Sequence, residues 1–160
     1  MIIRLRDLAP EGLHVEAPLQ IGPLRSDADE AIRVEEAFLR GDVRRTSRGL
    51  EIRGRLTCRA LVPCARCLVP FPMAVDRTLD LRYATVPPRG KDIEIPEEDM
   101  DVDFLESEDE LDLLAVATEQ VYLELPMKPL CRPDCRGLCV ACGGDLNRGD
   151  CRCAAQPRQA

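Results

Sequence analysis

The C-terminal end of the chain carries six cysteines in the pattern Cys131-x3-Cys135-x3-Cys139-x2-Cys142-x8-Cys151-x-Cys153, and a further pair, Cys64-x2-Cys67, stands upstream. A CxxC places two thiolates on one tight turn, close enough to share an ion at a metal–sulfur distance of ~2.3 Å. In Cys139-Val-Ala-Cys142-Gly143-Gly144 the glycines follow the second thiolate. There the backbone must curl round the metal and aim N–H groups at sulfur, and glycine tolerates the required φ. Residues 126–160 hold too few apolar side chains to fold by burial alone. Such a segment needs a staple.

Structural zinc takes four ligands. Six C-terminal cysteines and two upstream make two all-cysteine sites. The preferred partition is Cys64, Cys67, Cys131 and Cys135 for one zinc, and Cys139, Cys142, Cys151 and Cys153 for the other. The first would tie the tail to the body of the protein, and the second would fold the tail locally. A rival uses a single tail site of Cys135, Cys139, Cys142 and Cys151. An iron–sulfur cluster and redox disulfides are the remaining alternatives. The ninth cysteine, Cys58, alternates with apolar residues and reads as a small buried hydrophobe.

Compartment supports metal over disulfides. The start, Met-Ile-Ile-Arg-Leu-Arg-Asp-Leu, has charges where a signal peptide needs its apolar run, and no stretch of ~18 apolar residues is present. A cytoplasmic protein is expected, and in a reducing cytosol cysteines serve as ligands or buried thiols.

Residues 50–62 alternate with period two. Leu50, Ile52, Gly54, Leu56, Cys58, Ala60 and Val62 share one face, opposite Glu51, Arg53, Arg55, Thr57 and Arg59. This predicts a half-buried strand with a basic outer face. Residues 73–83 repeat the pattern with Met73, Val75, Leu79, Leu81 and Tyr83. The two strands would pair antiparallel, with Cys64 and Cys67 near their joining turn. Ile32, Val34, Glu36 and Phe38 alternate in another strand running through Val43, turning at Arg48-Gly49; residues 1–8 and 13–21 supply further short ones. Residues 86–108 read as an acidic, Pro-rich linker. Leu111, Leu114, Ala115, Thr118, Val121, Tyr122 and Leu125 mark an amphipathic helix over roughly 109–124, with Ser107 and Glu110 as a capping box. The fold expected is α+β: an antiparallel, barrel-like β domain over 1–85, the linker, a helix at 109–125 packed on the sheet, and a zinc-binding tail over 126–160.

Charge is segmented. The chain has a net charge of −7, but residues 91–125 carry one Lys or Arg against 14 Asp and Glu. Residues 40–66 hold eight arginines against Asp42 and Glu51. Arg44, Arg45, Arg48, Arg53, Arg55, Arg59 and Arg66 are candidates for phosphate contact, since guanidinium binds phosphate bidentately. Few aromatics are available for base stacking, so such contact would read backbone and shape. The bland alternative is a solvated face paired to the acidic linker.

No active site is apparent. His14 is the single histidine and has no Ser or Cys partner pattern; no phosphate-binding glycine loop is present. The acidic run 92–112 lacks EF-hand spacing. A closed all-cysteine site leaves no position for activated water. A thiol oxidoreductase using Cys64 and Cys67 stays as an alternative, with Arg66 able to lower a thiol pKa.

Cys64-x-Arg66-Cys67-Leu68 with Pro70-Phe71, then Leu111-Asp112-Leu113-Leu114, Glu119-Gln120-Val121, Leu125-Pro126 and the tail Cys135-Arg-Gly137-Leu138-Cys139-x2-Cys142-Gly143-Gly-Asp145-Leu146-Asn147 resemble the YceD-type family, the large ribosomal RNA subunit accumulation proteins. The resemblance covers roughly 50–153. It implies a bacterial cytosolic protein, or an organellar relative, supporting accumulation or processing of large-subunit ribosomal RNA, with no established catalytic activity. Family members lacking the tail cysteines place the greater weight on Cys64, Arg66 and Cys67. The expected function is a non-enzymatic factor binding that RNA or a pre-ribosome. The alternative is a zinc-stabilised module binding a ribosomal protein or an RNase.

Overall fold

The computed structural model describes residues 1–24, 32–47, 49–84, 102–105, 110–149, 151 and 153. In chain order these form β1 (Ile2–Arg4), β2 (Leu13–Leu19), β3 (Arg33–Arg45), β4 (Gly49–Pro63), β5 (Pro70–Ala84), β6 (Val102–Phe104), β7 (Glu110–Asp112) and helix α1 (Leu113–Glu124). A short 3-10 turn covers Leu5–Asp7 and another Leu146–Arg148.

The unbroken alternation in β4 sets the frame. Leu50, Ile52, Leu56, Cys58, Ala60 and Val62 are buried, and Arg53, Arg55 and Arg59 on the opposite face are exposed. A strand with one apolar face pairs well on both sides, and β4 lies between β3 and β5 in the order β2-β3-β4-β5-β6. The β4–β5 pairing is antiparallel and runs from Gly49↔Ala84 to Pro63↔Pro70. Val75, Leu79 and Tyr83 therefore extend the buried face of β4. The inner face is covered by α1 and by a two-stranded β1–β7 ribbon, whose Ile3, Leu111, Leu113, Val116, Ala117 and Val121 join the sheet's core. The result is mostly sheet with one helix, an α+β arrangement.

Several expectations are corrected, the first of them about the sheet. The sheet is not closed into a barrel: β2 and β6 are its two edges, and the helix and ribbon supply the cover that closure would otherwise give. Nor is it purely antiparallel, since β6 pairs parallel with β5. That short strand falls inside the segment read as linker, because three residues among many acids leave little periodic signal. Residues 85–101 and 106–109 of the acidic region lie outside the described residues, as do Arg48 and the capping-box Ser107.

The second correction concerns β3. The register shifts between Glu35 and Phe38, where Glu36 adopts φ +50°. This bulge inserts one residue and reverses the alternation. Ala37, Leu39 and Val43 are buried, whereas Phe38, expected on the face of Ile32 and Val34, is exposed.

The third concerns α1. It starts at Leu113, not 109, because 110–112 are held as a strand against Arg4, Ile3 and Ile2. Its cap is Asp112, which accepts from the Leu114 N–H at 2.9 Å. The buried stripe is Leu113, Val116, Ala117, Gln120 and Val121, rotated from the expected one so that Tyr122 faces solvent. A buried glutamine in the stripe hid this phase from any reading of apolar spacing.

The bulge gives a direct test. Ala37→Glu should lower stability by about 3 kcal/mol or more, since it buries a charge without a partner. Phe38→Glu should cost about 1 kcal/mol or less. Urea denaturation of the two variants measures both; a bulge-free strand would give the reverse order.

Candidate metal centres

At the end of β4 the chain turns through Cys64–Val69 into β5, and the tail returns to meet this turn. The Ala65 N–H donates to the Pro129 carbonyl at 2.7 Å, the Leu138 N–H to the Arg66 carbonyl at 3.2 Å, and Arg66 Nη1 to the Cys135 carbonyl at 2.8 Å. Gly137, at φ +75°, lies so close to Arg66 that a β-carbon would sit 3.0 Å from its carbonyl oxygen. These contacts bring Cys131 and Cys135 onto Cys64 and Cys67. The cluster is a small core of its own, separate from the sheet's core, with Phe71, Leu130 and Leu138 packed around it.

The four sulfurs all lie within 4.8 Å of one another. Cys64 Sγ is 3.7 Å from Cys135 Sγ, and Cys67 Sγ is 3.8 Å from Cys131 Sγ. A tetrahedron with metal–sulfur bonds of ~2.3 Å has edges of ~3.8 Å. The cluster thus has the dimensions of a four-thiolate site around one ion. Cys139, Cys142, Cys151 and Cys153 form a second group within the same limit, with Cys139 and Cys151 sulfurs 3.2 Å apart. Two sets of four cysteines can each hold a metal ion. The inner set is buried at Cys64, Cys67 and Cys135, and the outer set is more open, with Cys142 exposed.

Both CxxC turns have the same backbone. The Leu68 N–H donates to the Cys64 carbonyl at 2.9 Å and the Cys64 N–H to Val69 at 3.1 Å. The Gly143 N–H donates to Cys139 and the Cys139 N–H to Gly144, both at 2.8 Å. In each turn the residue after the second cysteine is left-handed, at φ +60° for Leu68 and +71° for Gly143. Leucine there costs strain that glycine does not.

Electrostatics within each set is uneven. Burial alone would push the Cys64 thiol up, but N–H groups of Cys131, Cys67 and Arg66 outweigh it and hold it at about 6. Burial and its three thiol neighbours push Cys131 up to about 12. In the outer set, the Ala141 N–H, then the Cys151 thiol, lower Cys139 to about 7. Cys142, then burial, push Cys153 up to about 12. In each set one sulfur is prepared as an anion and another resists the added charge. A bound cation removes that resistance by displacing protons.

Other expected site residues fall elsewhere. Cys58 stays in the sheet's core opposite Val75, away from both sets. His14 is exposed and pairs with Asp42 at 3.0 Å. Arg53 meets Glu51 at 2.7 Å and Asp80 at 3.4 Å. Arg55 forms a bidentate pair with Asp76 at 2.5 Å, which holds that carboxyl below its usual range. Among the described residues, the carboxylates that pair with Arg53 and Arg55 come from β4 itself and β5, and most of the acidic linker expected to pair with this face lies outside them. Arg44, Arg45 and Arg59 are exposed and have no carboxylate partner among the described residues. Arg66 is engaged with the tail. Asn147, whose side chain reaches Cys135 Sγ at 3.5 Å, was not singled out by any sequence pattern of ligands.

Comparison with known proteins adds context to this geometry. Residues 52–160 match the family model described as Large ribosomal RNA subunit accumulation protein YceD. An uncharacterized protein of Mycobacterium tuberculosis is 36% identical over 135 residues, covering 82% of this chain and 60% of its own. An uncharacterized protein of Mycobacterium leprae is 32% identical over 104 residues, covering 65% and 46%. The Zea mays protein called Large ribosomal RNA subunit accumulation protein YCED homolog 1, chloroplastic, is 32% identical over 66 residues, covering 38% and 22%. The chain spans about 60% of the length of the first of these relatives. No solved structure matches.

The twin turns differ at one position, which can be exchanged. Leu68→Gly should stabilise the inner turn by about 1 kcal/mol, and Gly143→Ala should destabilise the outer one by a similar amount. Amide exchange at Cys64 should slow roughly fivefold in the first and that at Cys139 should quicken roughly fivefold in the second. Equal exchange in variant and parent would remove the strain assignment.

Proposed function

The chain belongs to the YceD family, and on that premise we propose that it is a non-enzymatic cytoplasmic factor that supports accumulation of large-subunit ribosomal RNA by binding that RNA or a pre-ribosomal particle. The observation that carries the reading is the extent of the family match. It takes in β4 from Ile52 onward with its arginines, the Cys64–Cys67 turn, α1 and both cysteine sets. Among the described residues no helix is long and apolar enough to cross a membrane.

In this reading both cysteine sets hold zinc, in the partition that spacing suggested. In the inner set sulfur distances of 3.7 and 3.8 Å suit a single ion, the outer four sulfurs lie within 4.8 Å of one another, and thiolates suit zinc. The dithiol alternative is weaker on geometry: Cys64 is fully buried, so no substrate disulfide reaches its sulfur. Four thiolates around a divalent ion leave a net charge of −2. The guanidinium groups of Arg66 and Arg132, held on the Cys135 carbonyl and on Asn147, partly offset it at the inner set. Zinc here fixes the shape of the tail and does no chemistry of its own.

RNA contact falls to the arginines without carboxylate partners. Arg44, Arg45 and Arg59 are available to phosphate, whereas Arg53 and Arg55 must first give up Asp80, Glu51 and Asp76. A second reading, a module that binds a ribosomal protein or an RNase, is favoured by the exposed Leu68, Val69, Met127 and Val140 around the tail.

Two measurements test these readings. Protein purified without a tag should contain two zinc ions per chain; absence of both metal and cluster absorbance would overturn the zinc assignment. Binding to large-subunit RNA fragments should weaken with salt, and Arg44→Gln with Arg45→Gln should reduce the log–log slope by about 2. Arg53→Glu with Arg55→Glu should reduce it less. An unchanged slope in the first variant discards the arginine proposal, and no RNA binding with capture of a ribosomal protein favours the second reading.

A further inference from the structure

Asn147 lies in the 3-10 turn Leu146–Arg148, between Cys142 and Cys151, and so belongs to the loop of the outer cysteine set. Its side chain nevertheless reaches the inner set. Nδ2 donates to Cys135 Sγ at 3.5 Å and to Asp145 Oδ1 at 2.7 Å. Oδ1 accepts from Arg132 Nη2 at 2.8 Å and from the Arg136 N–H at 2.9 Å. An amide has two N–H donors and two oxygen lone pairs, and all four are used. The orientation is dictated by the partners. A guanidinium and a backbone N–H only donate, so the oxygen must face them and the nitrogen must face sulfur. The turn itself is held by the Asn147 N–H to Asp145 Oδ1 at 2.9 Å, and its loop by the Leu146 N–H to the Gly137 carbonyl at 2.9 Å.

We infer that Asn147 is a positioning residue that couples the two metal centres. Metal in the outer set closes the loop from Cys139 to Cys153 and seats the Asn147 amide on the Cys135 sulfur. There the N–H withdraws charge from the thiolate and fixes its direction. Groups of this kind, one bond beyond the ligands, change metal affinity by roughly 10–100-fold. The outer ion therefore tightens the inner site, and by linkage the inner ion tightens the outer one by the same factor. The consequence is an order of loss. The outer set is the more exposed, and once emptied it loosens the buried site that holds the tail to the sheet. This inference rests on the metal-binding reading given above.

The test uses the full chain loaded with cadmium-113, whose NMR signal reports each centre separately. The parent should show two all-thiolate resonances. Asn147→Asp keeps the size and both acceptor contacts but removes the donors to Cys135 Sγ and to Asp145 Oδ1, and it is read beside Asp145→Asn with Asn147→Asp, which relieves the repulsion between the two carboxylates without restoring a donor from residue 147 to sulfur. It should move the inner resonance, leave the outer one in place, and weaken inner-site affinity against a competing chelator by about tenfold or more. Cys139→Ser with Cys142→Ser should weaken the inner site by a comparable factor. Adding Asn147→Asp to that pair should then cost little more, because both act through one contact. Unshifted signals of the sheet amides show that the fold is intact in each variant. An inner site unaffected by loss of the outer one, or strictly additive losses, overturns the coupling while leaving two metal centres standing. No cadmium bound by either set overturns the metal reading and this inference together.

Discussion

Four sulfurs meeting at the β4–β5 turn hold together two parts of the chain that are built on different principles. The sheet and helix are held by apolar burial, with Leu50, Ile52, Leu56 and Val62 of β4 at the centre of a continuous core. Among the described residues, the tail beyond Pro126 has no such core. Its small cluster of Cys64, Cys67 and Cys135 with Phe71, Leu130 and Leu138 is apart from the main one. Burial on that scale does not offset the entropy of ordering a loop-rich segment. Four thiolates that can share one ion offer what apolar area cannot, since the free energy of metal bound at such a site appears as folding free energy.

The hairpin is suited to this task because its two strands are paired along their whole length. Fifteen residues in each strand fix where the turn lies, and the turn's own hydrogen bonds fix where Cys64 and Cys67 point. Leu68 pays for that geometry in a left-handed conformation. The tail then docks by backbone contacts to Ala65 and Arg66 and brings its two ligands with it. Side chains around the sulfurs, Asn147 above all, complete the arrangement. Preorganisation thus runs outward, from sheet to turn to inner centre to outer centre.

The outer face of the sheet shows how tertiary pairing alters a charge count. Residues 40–66 are strongly basic taken alone. Pairing with β5 places Asp76 and Asp80 against Arg55 and Arg53. Among the described residues, the arginines of this region left without a carboxylate partner are a subset at the end of β3 and on β4. A local excess of arginine is not a phosphate site until the neighbouring strands are known, since an ion pair competes with phosphate for the same guanidinium.

Several features were legible in the residues themselves because they depend on local geometry. Period-two alternation determined β4 and β5 and which of their faces is buried. Cysteine spacing and a count of four per ion divided eight thiols into the two sets that the structure brings together. The order of motifs pointed to the family. Other features were decided only by tertiary structure. The bulge at Glu36 reverses β3 by one inserted residue, which no alternation pattern announces. The start and rotation of α1 depend on β7 pairing with β1, and a buried Gln120 breaks the apolar spacing. An open sheet instead of a barrel depends on what covers its inner face. The contact of Asn147 with Cys135 joins residues twelve apart. Spacing can say which cysteines reach one ion, because the ion's geometry is short-ranged and fixed. It cannot say which side chain completes the shell, because that follows from how two loops pack.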